Sequence, residues 1–246
     1  MKRARYLLCA LALACAGDTA HAASSSPANN EASPENANAV VVVTRQGEKD
    51  FCSGTLLSDT MVLTALHCVQ DIGSDAPRPA SAFRVGFGEA KFDKNVRWVG
   101  VSEVRTRGLT RLDKVEDLQG IDVAILILQS PSQGPRFALP DQTPLPRAGS
   151  KLTIVGFGED RYGLVGRRHA TTVTVTGHTA DGFTFVGGGC RGDSGGPILD
   201  GKGRLVGIVS IGTSRHCTPN FTRIGQPLAP FADFIVDQLL RGGENN

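Results

Sequence analysis

The segment Gly189-Cys190-Arg191-Gly192-Asp193-Ser194-Gly195-Gly196-Pro197 places one serine among glycines. Glycine lets a chain turn tightly enough to face its amides outward. Two amides aimed at one point can hold the oxyanion that forms when an acyl carbon becomes tetrahedral. Those of Gly192 and Ser194 are placed to supply them. A serine hydroxyl there becomes a nucleophile if a base takes its proton. Leu63-Thr64-Ala65-Leu66-His67-Cys68 ends an apolar run on a histidine, the side chain whose proton exchanges nearest neutral pH. Gly120-Ile121-Asp122 opens a wholly apolar strand with a carboxylate, which is costly to bury unless a polar group meets it. The ring N–H of His67 is the expected partner. Ser194, His67 and Asp122 would together perform acyl transfer.

Elements that could position these residues are short and β-rich. Val40–Val43 begins the core signals. Phe51–Leu57, Met61–Ala65, Arg84–Phe87, Val96–Val104, Val123–Leu128, Leu152–Phe157, Thr171–Val175, Phe183–Val186 and Leu205–Ile211 follow, punctuated by Gly, Pro, Asp or Ser. Val123–Leu128 is apolar on both faces and is expected inside a closed sheet. Helical spacing is confined to the end, where Phe231, Phe234, Ile235 and Leu239 share one face after Pro230 and before Gly242-Gly243. The fold class is therefore all-β, with sheets closed into barrels and a helix over 230–241.

Residues 1–22 read as a secretory signal. Lys2, Arg3 and Arg5 precede an apolar run too short to span a bilayer, and Ala20-His21-Ala22 offers a cleavage site. The protein is expected to be secreted or periplasmic, with no transmembrane segment; lipid attachment through Cys15 is the alternative weighed. Residues 23–39, poor in large apolar side chains, are expected to form a flexible tail. Removing the leader takes three of the 26 basic and one of the 24 acidic residues, so the formal charges balance. No nucleic-acid partner is expected without a basic face. Four cysteines remain, Cys52, Cys68, Cys190 and Cys217, which in an exported chain suggest two bridges among three pairings. Their dispersal, with no Cys-x-x-Cys, argues against metal, and no cofactor is expected.

The three chemistry-bearing segments resemble the motifs of the trypsin-like serine peptidases, in that family's order. Ala65-Leu66-His67-Cys68 is similar to Ala-Ala-His-Cys and Asp122-Val123-Ala124-Ile125 to Asp-Ile-Ala-Leu, while residues 192–197 match Gly-Asp-Ser-Gly-Gly-Pro without change. Phe51–Leu57, Val155-Gly156-Phe157-Gly158 and Val209-Ser210-Ile211-Gly212 add weaker likenesses. The resemblance covers about residues 40–240. It implies two perpendicular six-stranded Greek-key barrels, roughly 40–135 and 136–229, with the site between them. It also implies a triad of His67, Asp122 and Ser194, an oxyanion hole from Gly192 and Ser194, and bridges Cys52–Cys68 and Cys190–Cys217. Substrate would meet Gly188, Gly189, Ser210, Ile211 and Gly212. The implied partners are protein or peptide substrates and a protein inhibitor, with the chain acting as a monomer.

Two departures qualify the resemblance. No Ile-Val-Gly-Gly is present to supply a new amino group for Asp193, so Arg167 or Arg168 is expected to meet that carboxylate. Gly188 stands where trypsin-type members carry the aspartate that binds Lys or Arg. Small or medium apolar side chains are therefore expected before the scissile bond, with Pro219 narrowing the pocket. Arg191, Arg215 and His216 could instead favour acidic ones but read better as a solvated rim. His169 and His178 are expected on the surface. The rival reading is a peptidase fold that has become a catalytically silent binding or regulatory protein. An esterase would need Gly-x-Ser-x-Gly between strand and helix, in a different triad order.

Overall fold

The computed structural model describes residues 36–139, 145–212, 217, 218 and 220–243. The expected leader 1–22, Cys15, most of the expected tail, and Arg215, His216 and Pro219 lie outside these. Two closed antiparallel barrels of six strands each form the molecule's frame, as the sequence leads one to expect. The first comprises β1 (Val40–Arg45), β2 (Phe51–Leu56), β3 (Met61–Thr64), β4 (Phe83–Phe87), β5 (Arg97–Thr106) and β6 (Ala124–Leu128). Around the barrel they run β1-β2-β3-β6-β5-β4, so β6 slots between β3 and β5. This explains its apolar run: four of its five residues are buried. A strand hydrogen-bonded on both edges and covered on both faces has no polar side to present.

The second barrel comprises β7 (Lys151–Gly156), β8 (His169–His178), β9 (Phe183–Val186), β10 (Pro197–Leu199), β11 (Leu205–Gly212) and β12 (Arg223–Pro227). They run β10-β11-β12-β9-β8-β7. Alternation builds its interior: Leu152, Ile154, Val173, Val175, Phe183 and Phe185 face one another at 3% exposure or less. Each fully buried phenylalanine contributes roughly 2–3 kcal/mol by leaving water.

Regular structure is present ahead of Val40, where Ala37–Ala39 form a 3-10 turn with Ala37 and Ala39 buried, so the last three residues of the expected tail are folded onto the barrel. At the other end, Pro230 lies within the 3-10 turn Ala229–Phe231, and α1 runs Ala232–Gly243. The helix thus continues through the glycines expected to stop it, while Phe231 and Ile235 pack into the core. No helix among the described residues is long and apolar enough to cross a membrane.

Candidate active site

His67 follows β3 in the 3-10 turn Leu66–Cys68. That turn is pinned at both ends. The expected Cys52–Cys68 disulfide ties it to β2. Arg45 of β1 donates from Nε to the Cys68 carbonyl (3.3 Å) and from Nη2 to the His67 carbonyl (3.4 Å). The ring therefore has little freedom except about its own side-chain bonds. Cys52, His67 and Cys68 lie close enough to suggest a metal cluster, but the two sulfurs are already bonded to each other.

Asp122 sits just before β6 and is fully buried. Its backbone N–H donates to Gln226 Oε1 of β12 at 3.3 Å. Its carboxylate accepts from the His67 backbone N–H (3.0 Å), from His67 Nδ1 (2.9 Å to Oδ2) and from the Ser210 hydroxyl of β11. Burial alone would push this carboxyl up; His67, Ser210 and the His67 amide together hold it below its ordinary value. On the histidine, burial pushes the ring down, but the charge and hydrogen bond of Asp122 prevail and raise it above 6.5 against a small opposing effect of Arg45. Because Asp122 occupies Nδ1, Nε2 is the nitrogen left for chemistry.

Ser194 lines the same cavities as His67. Its hydroxyl donates to the Ser210 carbonyl at 3.4 Å. Among the described residues it makes no hydrogen bond to His67. The backbone around it is fixed. Ser53 of β2 donates its N–H to the Ser194 carbonyl (2.8 Å) and its hydroxyl to the Gly192 carbonyl (2.7 Å), while accepting from the Phe157 N–H (3.0 Å). Gly192 and Gly195 take φ of +102° and +81°, where a Cβ is strained. With their neighbours bonded this way, the N–H groups of Gly192 and Ser194 have no acceptor among the described residues. Two unspent amides thus lie in the segment that carries Ser194.

Asp193 is buried behind this loop, and here the structure corrects an expectation. Arg168 turns away to Glu89, Asn38 and the Val40 and Gly88 carbonyls. The imidazole facing Asp193 belongs to His169, whose Nε2 lies 3.8 Å from Oδ1. His169, expected on the surface, is 16% exposed. It sits opposite Gly156 in the pairing of β7 with β8, a register that the sequence did not disclose. The Gly158 and Cys190 amides donate to the two carboxylate oxygens, both at 2.8 Å. Burial pushes this carboxyl up, opposed by His169, the two amides and Arg223. Gly156 and Gly158 are glycines because Cβ atoms there would lie 2.2 Å and 2.6 Å from Asp193 side-chain atoms.

The second expected bridge is not closed. Cys190 and Cys217 are free thiols in hydrogen-bonding contact, and burial pushes the Cys190 thiol up. Ser210, Ile211 and Gly212 end β11 along the cleft that holds His67 and Ser194. Pairing of β11 with β10 stops at Ile208, so this stretch runs past its neighbour. Gly188 and Gly189 line an adjoining pocket with Cys190, Cys217 and Arg223. Arg191 stands at the rim, 74% exposed and paired with Asp50. Arg223 is 4% exposed and was not singled out by the sequence.

The sequence matches the family model described as Trypsin over residues 28–235. The chain belongs to the trypsin family. It is 30% identical to a trypsin of Phaedon cochleariae over 214 residues, covering 76% of this chain and 78% of that one. It is similar to a trypsin of Saccharopolyspora erythraea at 27% identity over 225 residues, covering 82% and 92%. Human heparin binding protein shares the fold, with a TM-score of 0.64 at 22% identity over 83% of this chain and 92% of that one. As a trypsin-like protein the chain is a serine endopeptidase, a hydrolase whose family takes protein substrates.

Proposed function

We propose that this endopeptidase cuts peptide bonds through Ser194, His67 and Asp122 by way of an acyl-enzyme. The observation carrying the reading is the buried Asp122 carboxylate bonded to His67 Nδ1, with the imidazole and Ser194 sharing one cavity wall. Ser194 Oγ attacks the scissile carbonyl carbon and passes its proton to His67 Nε2. Asp122 holds the tautomer that leaves Nε2 basic and stabilises the imidazolium. The Gly192 and Ser194 amides receive the oxyanion; losing one such donor typically costs about 3 kcal/mol of barrier. Collapse of the tetrahedral centre breaks the C–N bond as Nε2 protonates the departing amine. Water then attacks the acyl carbon, giving its proton to Nε2; the C–Oγ bond breaks as Nε2 returns that proton to Ser194 Oγ, and the acid product leaves.

The frame behind Asp193 supports a site formed without a newly exposed amino terminus, since the Gly158 and Cys190 amides and the His169 ring already meet that carboxylate. Gly188 offers no carboxylate for Lys or Arg, which supports a specificity other than trypsin's. Residues 1–22 support export, and one disulfide fits an oxidising compartment. The test is treatment of folded, leader-free protein with a serine-directed phosphonate. Adduct at Ser194, absent in His67→Ala, is the expected result. No adduct in protein with native circular dichroism would favour the silent binding role.

A further inference from the structure

Arg45 is the last residue of β1, where the strand's buried run ends and a side chain emerges at the barrel rim, 18% exposed. Each of its three guanidinium nitrogens has a separate task. Nε donates to the Cys68 carbonyl at 3.3 Å, Nη2 to the His67 carbonyl at 3.4 Å, and Nη1 to Asp71 Oδ1 at 2.7 Å. Glu48, in the turn from β1 to β2, places Oε2 3.6 Å from the same Nη1. Arg78 stands behind both carboxylates. Its Nη1 donates to Glu48 Oε1 at 2.9 Å and its Nε to Asp71 Oδ2 at 2.5 Å. Its backbone N–H donates to the Val69 carbonyl at 2.9 Å, which ties this quartet of charges to the chain just after the 3-10 turn. A planar guanidinium can serve carbonyls and carboxylates at once, whereas a lysine ammonium is a single point of charge.

We propose that Arg45 is a positioning residue for this peptidase: steadied by Asp71 and Glu48, its guanidinium holds the main chain of His67 so that the imidazole stays on Asp122. The inference rests on the peptidase reading above and adds a residue to the machinery of the same site. His67 is gripped at both poles of its main chain. Its N–H donates to Asp122 Oδ1 at 3.0 Å, and its carbonyl accepts from Arg45. The disulfide ties the turn through Cys68, whereas Arg45 bonds His67 itself. Arg45 and Glu48 also border one of the two cavities that hold His67 and Ser194, the one that β11 does not line. A misplacement of about 1 Å in a reacting group can cost on the order of a hundredfold in rate, so a grip on the base's own peptide matters.

The charge of Arg45 acts on the ring as well. Asp122 favours the imidazolium and Arg45 opposes it. His67 must be neutral to take the serine proton, so Arg45 extends the working range of the base on the acid side. The other charged groups bordering the two cavities are engaged elsewhere. Glu48 pairs with Arg78, Asp50 pairs with Arg191, and Arg223 bonds the Gly189 carbonyl and acts on Asp193.

The test measures kcat and KM against pH for one peptide, with the unmodified enzyme and three variants. Arg45→Gln is expected to lower plateau kcat at least about tenfold with KM within about threefold, and to move the acid limb to higher pH. Arg45→Lys keeps the charge but not the fork, so kcat is expected to fall severalfold while the acid limb stays in place. Arg78→Gln removes an equal charge from the same quartet without touching the turn; kcat within about twofold of the original and an unmoved acid limb are expected. If Arg45→Gln folds poorly, Arg45→Lys decides, and an unchanged kcat there overturns the inference. An acid limb unmoved in Arg45→Gln, or losses in Arg78→Gln equal to those in Arg45→Gln, would overturn it too while leaving the peptidase reading intact. Failure of the unmodified enzyme to cut any peptide, without phosphonate adduct at Ser194, would overturn both.

Discussion

Replacing Asp122 by Asn tests the relay most directly, because shape is kept and charge is lost. Asp122 Oδ2 lies 2.9 Å from His67 Nδ1. At the effective dielectric constant of about 20 that suits protein sites, unit charges at that distance attract by about 6 kcal/mol. The attraction exists only once His67 takes the serine proton, so it lowers the barrier rather than the ground state. Its loss should reduce kcat/KM roughly 10⁴-fold. The amide can also turn its NH2 towards Nδ1, which would move the ring proton to Nε2 and remove the base. Measuring kcat/KM against pH gives a second readout. Ser194 needs neutral His67, so activity is lost as pH falls through the histidine's value, held above 6.5 by Asp122. In Asp122→Asn, burial acts on His67 without that opposition, and the acid limb should move to lower pH. A variant that keeps more than about a tenth of the activity, or an unmoved acid limb, would refute the relay.

Two further outcomes follow from the loop that carries Ser194. His169→Ala should lower kcat/KM by roughly an order of magnitude or more, since a fully buried Asp193 is left with its two amide partners and the charge of Arg223; His169→Gln should retain more activity, and equal activity in all three proteins would remove His169 from the frame. Gly195→Ala should cost roughly 3 kcal/mol or more in denaturant unfolding, because its φ of +81° is strained and the new Cβ would lie 2.3 Å from Thr64 Oγ1 and 2.4 Å from the Ser53 carbonyl. A change under about 1 kcal/mol would show that the loop relaxes freely.

The contact of His67 with Asp122 was legible because a carboxylate opening an apolar strand demands a polar partner, and Ser194 stood out because its glycine-rich segment has local character. The barrels were legible from alternation and turns. Two strands were not. Pro197–Leu199 has only three residues and adjoins the glycine loop, too short to show a period. Arg223–Pro227 contains Gly225 and Pro227 and reads as a turn, yet Gly225 is demanded by the Phe183 ring, 2.4 Å from where its Cβ would be. Missing that strand also hid Arg223. His169 was hidden likewise, since its place opposite Gly156 comes from long-range pairing rather than neighbouring residues. Gly156 and Gly158 were noticed as a likeness, but their role in housing Asp193 needed three dimensions.

The three bonds made by Ser53 have an effect on when the molecule becomes dangerous. A residue of the first barrel fixes the carbonyls of Gly192 and Ser194 and the amide of Phe157, all in the second. A chain with only its early half built therefore holds a histidine and an aspartate but no cutting edge. Even after residue 194 is made, β11 and β12 must close before Ser210 and Gln226 reach Asp122. Under the proposed mechanism, proteolytic power therefore waits for the second barrel to close, a safeguard for whatever machinery makes and handles the unfinished polypeptide.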